Sequence, residues 1–203
     1  TIPQTLQAAN IAASQTPAAA GNLTLTAGTS ATSVTRSDGT TVIQLDVPRA
    51  VSVTQVTAGT SVTVTVSGYD YYGQNMSEAI TSTAGSTVNG KKAFFQVTGI
   101  TVNGATTTAV TVGNTSILGC PVRFNNRGYI SRCGWNNVLA EDAATVVVAD
   151  ATTATTTTGD VRGTVVPSSA CDGAKRLVVG VLLTAIQCGP NATRAGALGV
   201  TQA

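Results

Sequence analysis

Apolar and polar side chains alternate along most of this chain, and a period of two is the mark of a strand with one face turned inward. In Thr41-Val42-Ile43-Gln44-Leu45-Asp46-Val47, the set Ile43, Leu45 and Val47 alternates with Gln44 and Asp46, and Pro48 is expected to end the strand. Val62, Val64 and Val66 alternate with Thr63 and Thr65 in the same way, with turns expected at Ser37-Asp38-Gly39 and Ala58-Gly59. Val88-Asn89-Gly90 and Val102-Asn103-Gly104 read as hairpin turns, because Asn and Gly both accept positive φ. The strands around them, at 94–100 and 110–112, should then pair with their sequence neighbours. Later strands are expected at 122–124, 129–133, 146–149, 161–165 and 177–183, with a turn at Asn126-Arg127-Gly128. The last run, Leu177-Val178-Val179-Gly180-Val181-Leu182-Leu183, is nearly all apolar, as in a central strand covered on both faces. Helical periodicity is absent over any dozen residues, residues 136–144 forming at most one short turn, and the Thr-rich run 152–158 reads as an exposed loop or edge.

These patterns predict an all-β protein, an antiparallel β-sandwich or jelly-roll-like core over residues 23–203, divisible into two subdomains, behind an extended N-terminal arm at 1–22. The arm has no charged side chain and only Ile2, Leu6 and Ile11 as large apolar groups. It reads either as a loose end or as a segment that becomes ordered across a neighbouring subunit, since an uncharged segment with spaced anchors loses little solvation on docking.

Composition sharpens this reading. At 203 residues the chain buries roughly 70% of its unfolded surface and needs no staples. Eleven Lys and Arg against nine Asp and Glu give a net charge of +2, far from the clustered basic charge that phosphate demands, so nucleic acid is not an expected partner. Nor is a membrane, because no apolar run approaches the ~20 residues that span a bilayer. Thr1-Ile2-Pro3-Gln4 lacks a basic region followed by an apolar one, so the expected product is soluble and made in the cytoplasm. Cys120, Cys133, Cys171 and Cys188 lack the paired spacing of zinc sites. An even count permits two disulfides, but four packed thiols are the expectation.

Catalytic chemistry is hard to find. The chain has no His, no nucleophile elbow and no glycine-rich phosphate loop. Glu141 and Asp142 would point to opposite faces of a strand, unlike a glycosidase pair. Asp150 and Asp160 flank the Thr-rich run but lack the further oxygen ligands of a cation loop. No enzyme activity and no cofactor are therefore expected. What remains is interface material. Tyr69, Tyr71 and Tyr72 are gathered in residues 68–78 (GYDYYGQNMSE), where they line either a subunit contact or the core edge. Arg162 and Arg176 sit beside acidic residues, placed to bridge strands or to meet an acidic patch on another subunit.

In order along the chain, residues 68–78, 87–94 (TVNGKKAF), 113–121 (GNTSILGCP), 158–164 (TGDVRGT), 172–177 (DGAKRL) and 199–203 (GVTQA) resemble segments of the capsid cement, or head decoration, proteins of tailed bacteriophages. Position 120 departs from that pattern, which has an ordinary apolar residue where this chain has Cys120. The resemblance implies a virion protein on the outer surface of the head. Its expected partners are the major capsid protein and further copies of itself, as a homo-oligomer on the shell, and it implies no catalytic residue. The alternative is a tail-fibre, receptor-binding or adhesin-like β module whose tyrosines grip a glycan. The absence of heptads for a shaft, together with the uncharged arm, favours the head.

Overall fold

The computed structural model describes residues 1–136, 145–182 and 200–202. Its strands are β1 (Ala12–Gln15), β2 (Gly21–Asn22), β3 (Ala31–Thr35), β4 (Thr41–Gln55), β5 (Thr63–Tyr69), β6 (Asn75–Thr81), β7 (Thr87–Asn89), β8 (Phe94–Val102), β9 (Val110–Gly119), β10 (Ile130–Trp135), β11 (Thr145–Val147), β12 (Thr164–Val166) and β13 (Leu177–Val181). The protein is all-β. Eleven of these strands form one antiparallel sheet whose backbone order is β11-β12-β9-β4-β8-β5-β6, and β10 and β13 form a separate two-stranded sheet.

The long strand β4 makes the fold. Its first half pairs with β3 and β8, its second with β7 and β9. Strands from both halves contribute to one apolar cluster, which includes Ile43, Leu45, Val51, Val53, Val64, Val66, Phe94, Val97, Val110 and Val112. Pro48 does not end the strand as expected. It lies where the β4–β8 register jumps from Gln44 to Arg49, the interruption expected of a residue without an amide proton.

The Asn-Gly expectations also meet a correction. Strand β7 pairs with β4 rather than β8, and neither Gly90 nor Gly104 has positive φ. Gly90 is required for another reason: a Cβ there would lie 2.6 Å from a Glu78 carboxylate oxygen. Asn103 uses its side-chain oxygen to accept from the Thr63 amide. The hairpin turns among the described residues are elsewhere, at Asp38-Gly39 between β3 and β4 and in the tyrosine segment between β5 and β6, where Gly39 has φ 83° and Gly73 has φ 79°. No strand forms at 122–124, and Asn126 caps a 3-10 turn at Arg127–Tyr129. Of the expected turn at 136–144, only Asn136 lies within the described residues.

The N-terminal segment is not a separate arm in the isolated chain. Ile11 is buried in the main cluster, β1 pairs with β9, and Gln7 exchanges bonds with Asn114 through its amide and carbonyl. A Cβ at Gly113 would fall 2.1 Å from the Gln7 carbonyl oxygen, so a side chain at this position would displace the segment. Its backbone is further clamped at Gln4, whose amide donates to Asp46 and whose carbonyl accepts from the buried Arg49 guanidinium. These bonds use the main chain, which is why so plain a sequence can dock firmly. Ile2 and Leu6 stay outside, 47% and 39% exposed.

Candidate functional site: a buried charged corner behind an apolar face

The β5–β6 turn is built by Asp70. Its Oδ1 accepts from the amides of Tyr72 and Gln74, and its Oδ2 accepts from Arg162 Nη1 at 2.6 Å, both side chains being buried. The Arg162 guanidinium carbon lies 4.6 Å from the centre of the Tyr72 ring, and the Tyr72 hydroxyl donates to the Pro121 carbonyl at 2.6 Å. Arg162 is thus a strand-bridging group inside its own chain, the first of the two roles open to it, and its stacking fixes the ring of Tyr72.

Two further carboxylates complete this corner. Asp160 accepts from the amides of Ala93, Arg162 and Gly163, and Glu78 accepts from those of Lys91 and Lys92. Burial pushes both carboxyls above their ordinary range, opposed by these bonds. Burial lowers Lys92, whose Nζ donates to the Ser77 carbonyl. Four segments distant in sequence, 68–78, 87–94, 113–121 and 158–164, are joined here, the third also through the Cys120 amide on the Gly163 carbonyl. Since Asp160 is filled by backbone amides and Asp150 accepts from Gly159, neither is arranged as a cation ligand, and among the described residues no group of three or more metal-binding side chains occurs.

Tyrosines cover the corner on the outside. Tyr71 is 57% exposed and Tyr72 40%, with Tyr71 edge-on to both Tyr72 and Phe95 at centroid distances of 5.4 Å. Tyr69 is half-buried under the Arg36 guanidinium, 4.2 Å from its ring centre. Arg176 is exposed, and its amide donates to Asn136.

Beside Tyr71 opens a groove of about 390 Å³ between the main sheet and β13, floored by Val47, Leu118 and Val165, walled by Leu177, Val179 and Val181, and reached by Thr1. Among the described residues no charged side chain lines it. The expected contact residues therefore separate. Ile2, Leu6, Tyr71 and Tyr72 lie outside, with Thr1 and Tyr71 on the same groove, whereas Ile11 and Arg162 are interior. Cys120 also lines the groove, its thiol pushed by burial up to about 12, so it is a packed thiol rather than a nucleophile. Cys120 and Cys171 are not bridged, Cys133 packs in the same apolar cluster, and Cys188 lies outside the described residues.

The groove wall differs from the sequence expectation. Among the described residues β13 is an edge strand, most of its residues only half-buried, rather than a central strand covered on both faces, and Leu183 of the expected strand lies outside them. The signal was present in the unbroken Val-rich run, but composition distinguishes a covered strand from an uncovered one only once its neighbours are known.

No protein-family model matches the chain, and no curated protein or solved structure matches it either. Among the described residues no helix is long and apolar enough to cross a membrane.

Proposed function

We propose that this protein is a capsid cement protein, which binds the outside of a phage head through its apolar, tyrosine-bearing face and stabilises the shell. The observation that carries the reading is the inversion at this face. Charges are buried and hydrogen-bonded, while Tyr71, Tyr72 and a groove without charged side chains among the described residues are left to solvent. Exposed aromatics beside an apolar groove favour a protein partner, because they bury large area at low entropy cost. The resemblance of residues 68–78, 87–94, 113–121 and 158–164 to cement proteins supplies the particular partner, the major capsid protein lattice. Cementing needs only contacts that exist in the assembled shell, so bound protein stabilises it by mass action.

A receptor-binding module is the second reading, favoured by the exposed rings of Tyr71 and Tyr72, which suit sugar faces. Disrupting virions and locating the protein decides between them. Retention with the head shell is expected; retention with the tail would replace the first reading by the second.

A further inference from the structure

We propose that the outward edge of β13 accepts an added β-strand, an extended and uncharged segment of a neighbouring protein. The partner rests on the cement reading, under which that neighbour is the shell protein. The edge itself is defined by hydrogen-bond parity. Asn136 donates to the Arg176 carbonyl and Leu182 to the Tyr129 carbonyl, so in this antiparallel pair residues 176, 178, 180 and 182 turn their amides and carbonyls toward β10. Leu177, Val179 and Val181 turn theirs the other way. There Leu177 donates to the Thr1 carbonyl. Pro3 accepts from Gly173, so residues 1–3 run antiparallel to 173–177 and form the first rung of a strand on this edge. Val179 and Val181 lie on the same edge, beside the groove.

Edges left open are ordinarily blunted by Lys, Pro or a covering element, because a row of unpaired amides recruits other chains. Residues 177–182 contain neither Lys nor Pro, and Leu182 is 56% exposed. The run has the composition of a strand flanked on both sides, yet among the described residues only β10 pairs with it along its length, the outward edge being met at Leu177 by Thr1 alone. An incoming strand on this edge would bond to Val179 and Val181 and place alternate side chains on Val47, Leu118 and Val165, with Tyr71 at the rim. The groove, at about 390 Å³, takes the side chains of one strand rather than a second sheet, and its uncharged lining selects an uncharged segment.

The test is hydrogen exchange, read by mass spectrometry over residues 177–182, on full-length protein free and bound to undecorated heads, alongside head binding by Val179→Pro. The substitution removes an amide that points away from β10, and its melting temperature reports whether the fold survives. On binding, exchange at Val179 and Val181 should slow on the order of tenfold or more, and Val179→Pro should bind heads on the order of tenfold more weakly. Should the variant not fold, the exchange result on the unaltered chain decides alone. Binding without protection at these amides overturns the edge inference and leaves the cement reading intact. Failure of the unaltered protein to bind heads removes the cement reading and this partner together. Protection that grows with concentration in free protein makes the occupant a second copy and overturns the shell segment.

Discussion

The corner behind Tyr72 and the groove beside Tyr71 are adjacent, and they treat burial in opposite ways. In the corner, Asp70, Glu78, Lys92, Asp160 and Arg162 are withdrawn from water. At the groove, Val179, Val181 and Tyr71 are left partly in it. Charges can be buried in the corner because backbone amides were available to receive them, and the resulting network ties the β5–β6 turn to the segment before β12. Apolar side chains remain exposed at the groove because no described element covers them. The first arrangement shapes the molecule, and the second leaves an apolar surface open among the described residues.

Breaking the corner should give the largest effect on stability. Arg162→Met leaves the Asp70 carboxylate buried without its partner, at a cost of roughly 3–5 kcal/mol, measurable as a lowered denaturant midpoint. Replacing Asp70 and Arg162 together with apolar residues should cost less than Arg162→Met alone, and an equal or larger loss would show that the turn bonds of Asp70 dominate. Next in size is Gly113→Val, which drives a side chain into the Gln7 carbonyl. It should cost on the order of 1–3 kcal/mol and release the N-terminal segment to proteolysis. A protected segment in that variant would mean that β1 pairing alone holds it.

The two raised carboxyls predict an unusual pH response. Glu78 and Asp160 have folded values above their unfolded ones, near 4.5 and 3.8 respectively, so the folded protein binds more protons in that window. Their contribution to stability is full below the unfolded values and is lost as pH rises through the folded values. The melting temperature should therefore rise as pH falls from neutral toward 4.5, and Glu78→Gln should flatten part of that slope. A melting temperature that falls over the same interval would contradict the raised values, because Asp38 and Asp172, both lowered from 3.8 by backbone amide bonds, lose their contribution only at more acid pH.

The face should behave in the reverse manner. Tyr71→Ser touches an exposed ring whose partners are Tyr72 and Phe95, so the stability change should stay within about 1 kcal/mol while head binding weakens. Tyr72→Ser should cost somewhat more, because it also removes the bond to Pro121 and the ring over Arg162.

Much of the fold was legible because alternation reports which face is inward. Val62, Val64 and Val66 are all buried, as their period requires. Partnership was not legible. Asn89-Gly90 carries a hairpin signal, yet β4 lies closer at hand and Gly90 serves the Glu78 carboxylate. Pro48 signals a stop, but a strand that changes partners at that point loses nothing by the missing amide. For the site, the tyrosines and the charged pairs were visible as residues, while the Asp70–Arg162 bond spans 92 positions and leaves no local trace. Ile11 looked like Ile2 and Leu6 in the sequence, and only the β1–β9 pairing separates an interior anchor from two exposed ones.

The proposed binding and strengthening of a shell by the apolar face has a direct measurement. Purified protein should be added to undecorated heads, and thermal release of the genome followed with increasing occupancy. A cement protein should bind saturably and raise the release temperature with occupancy, and Tyr71→Ser should diminish both. Absence of binding, or binding with an unchanged release temperature, would contradict the proposal.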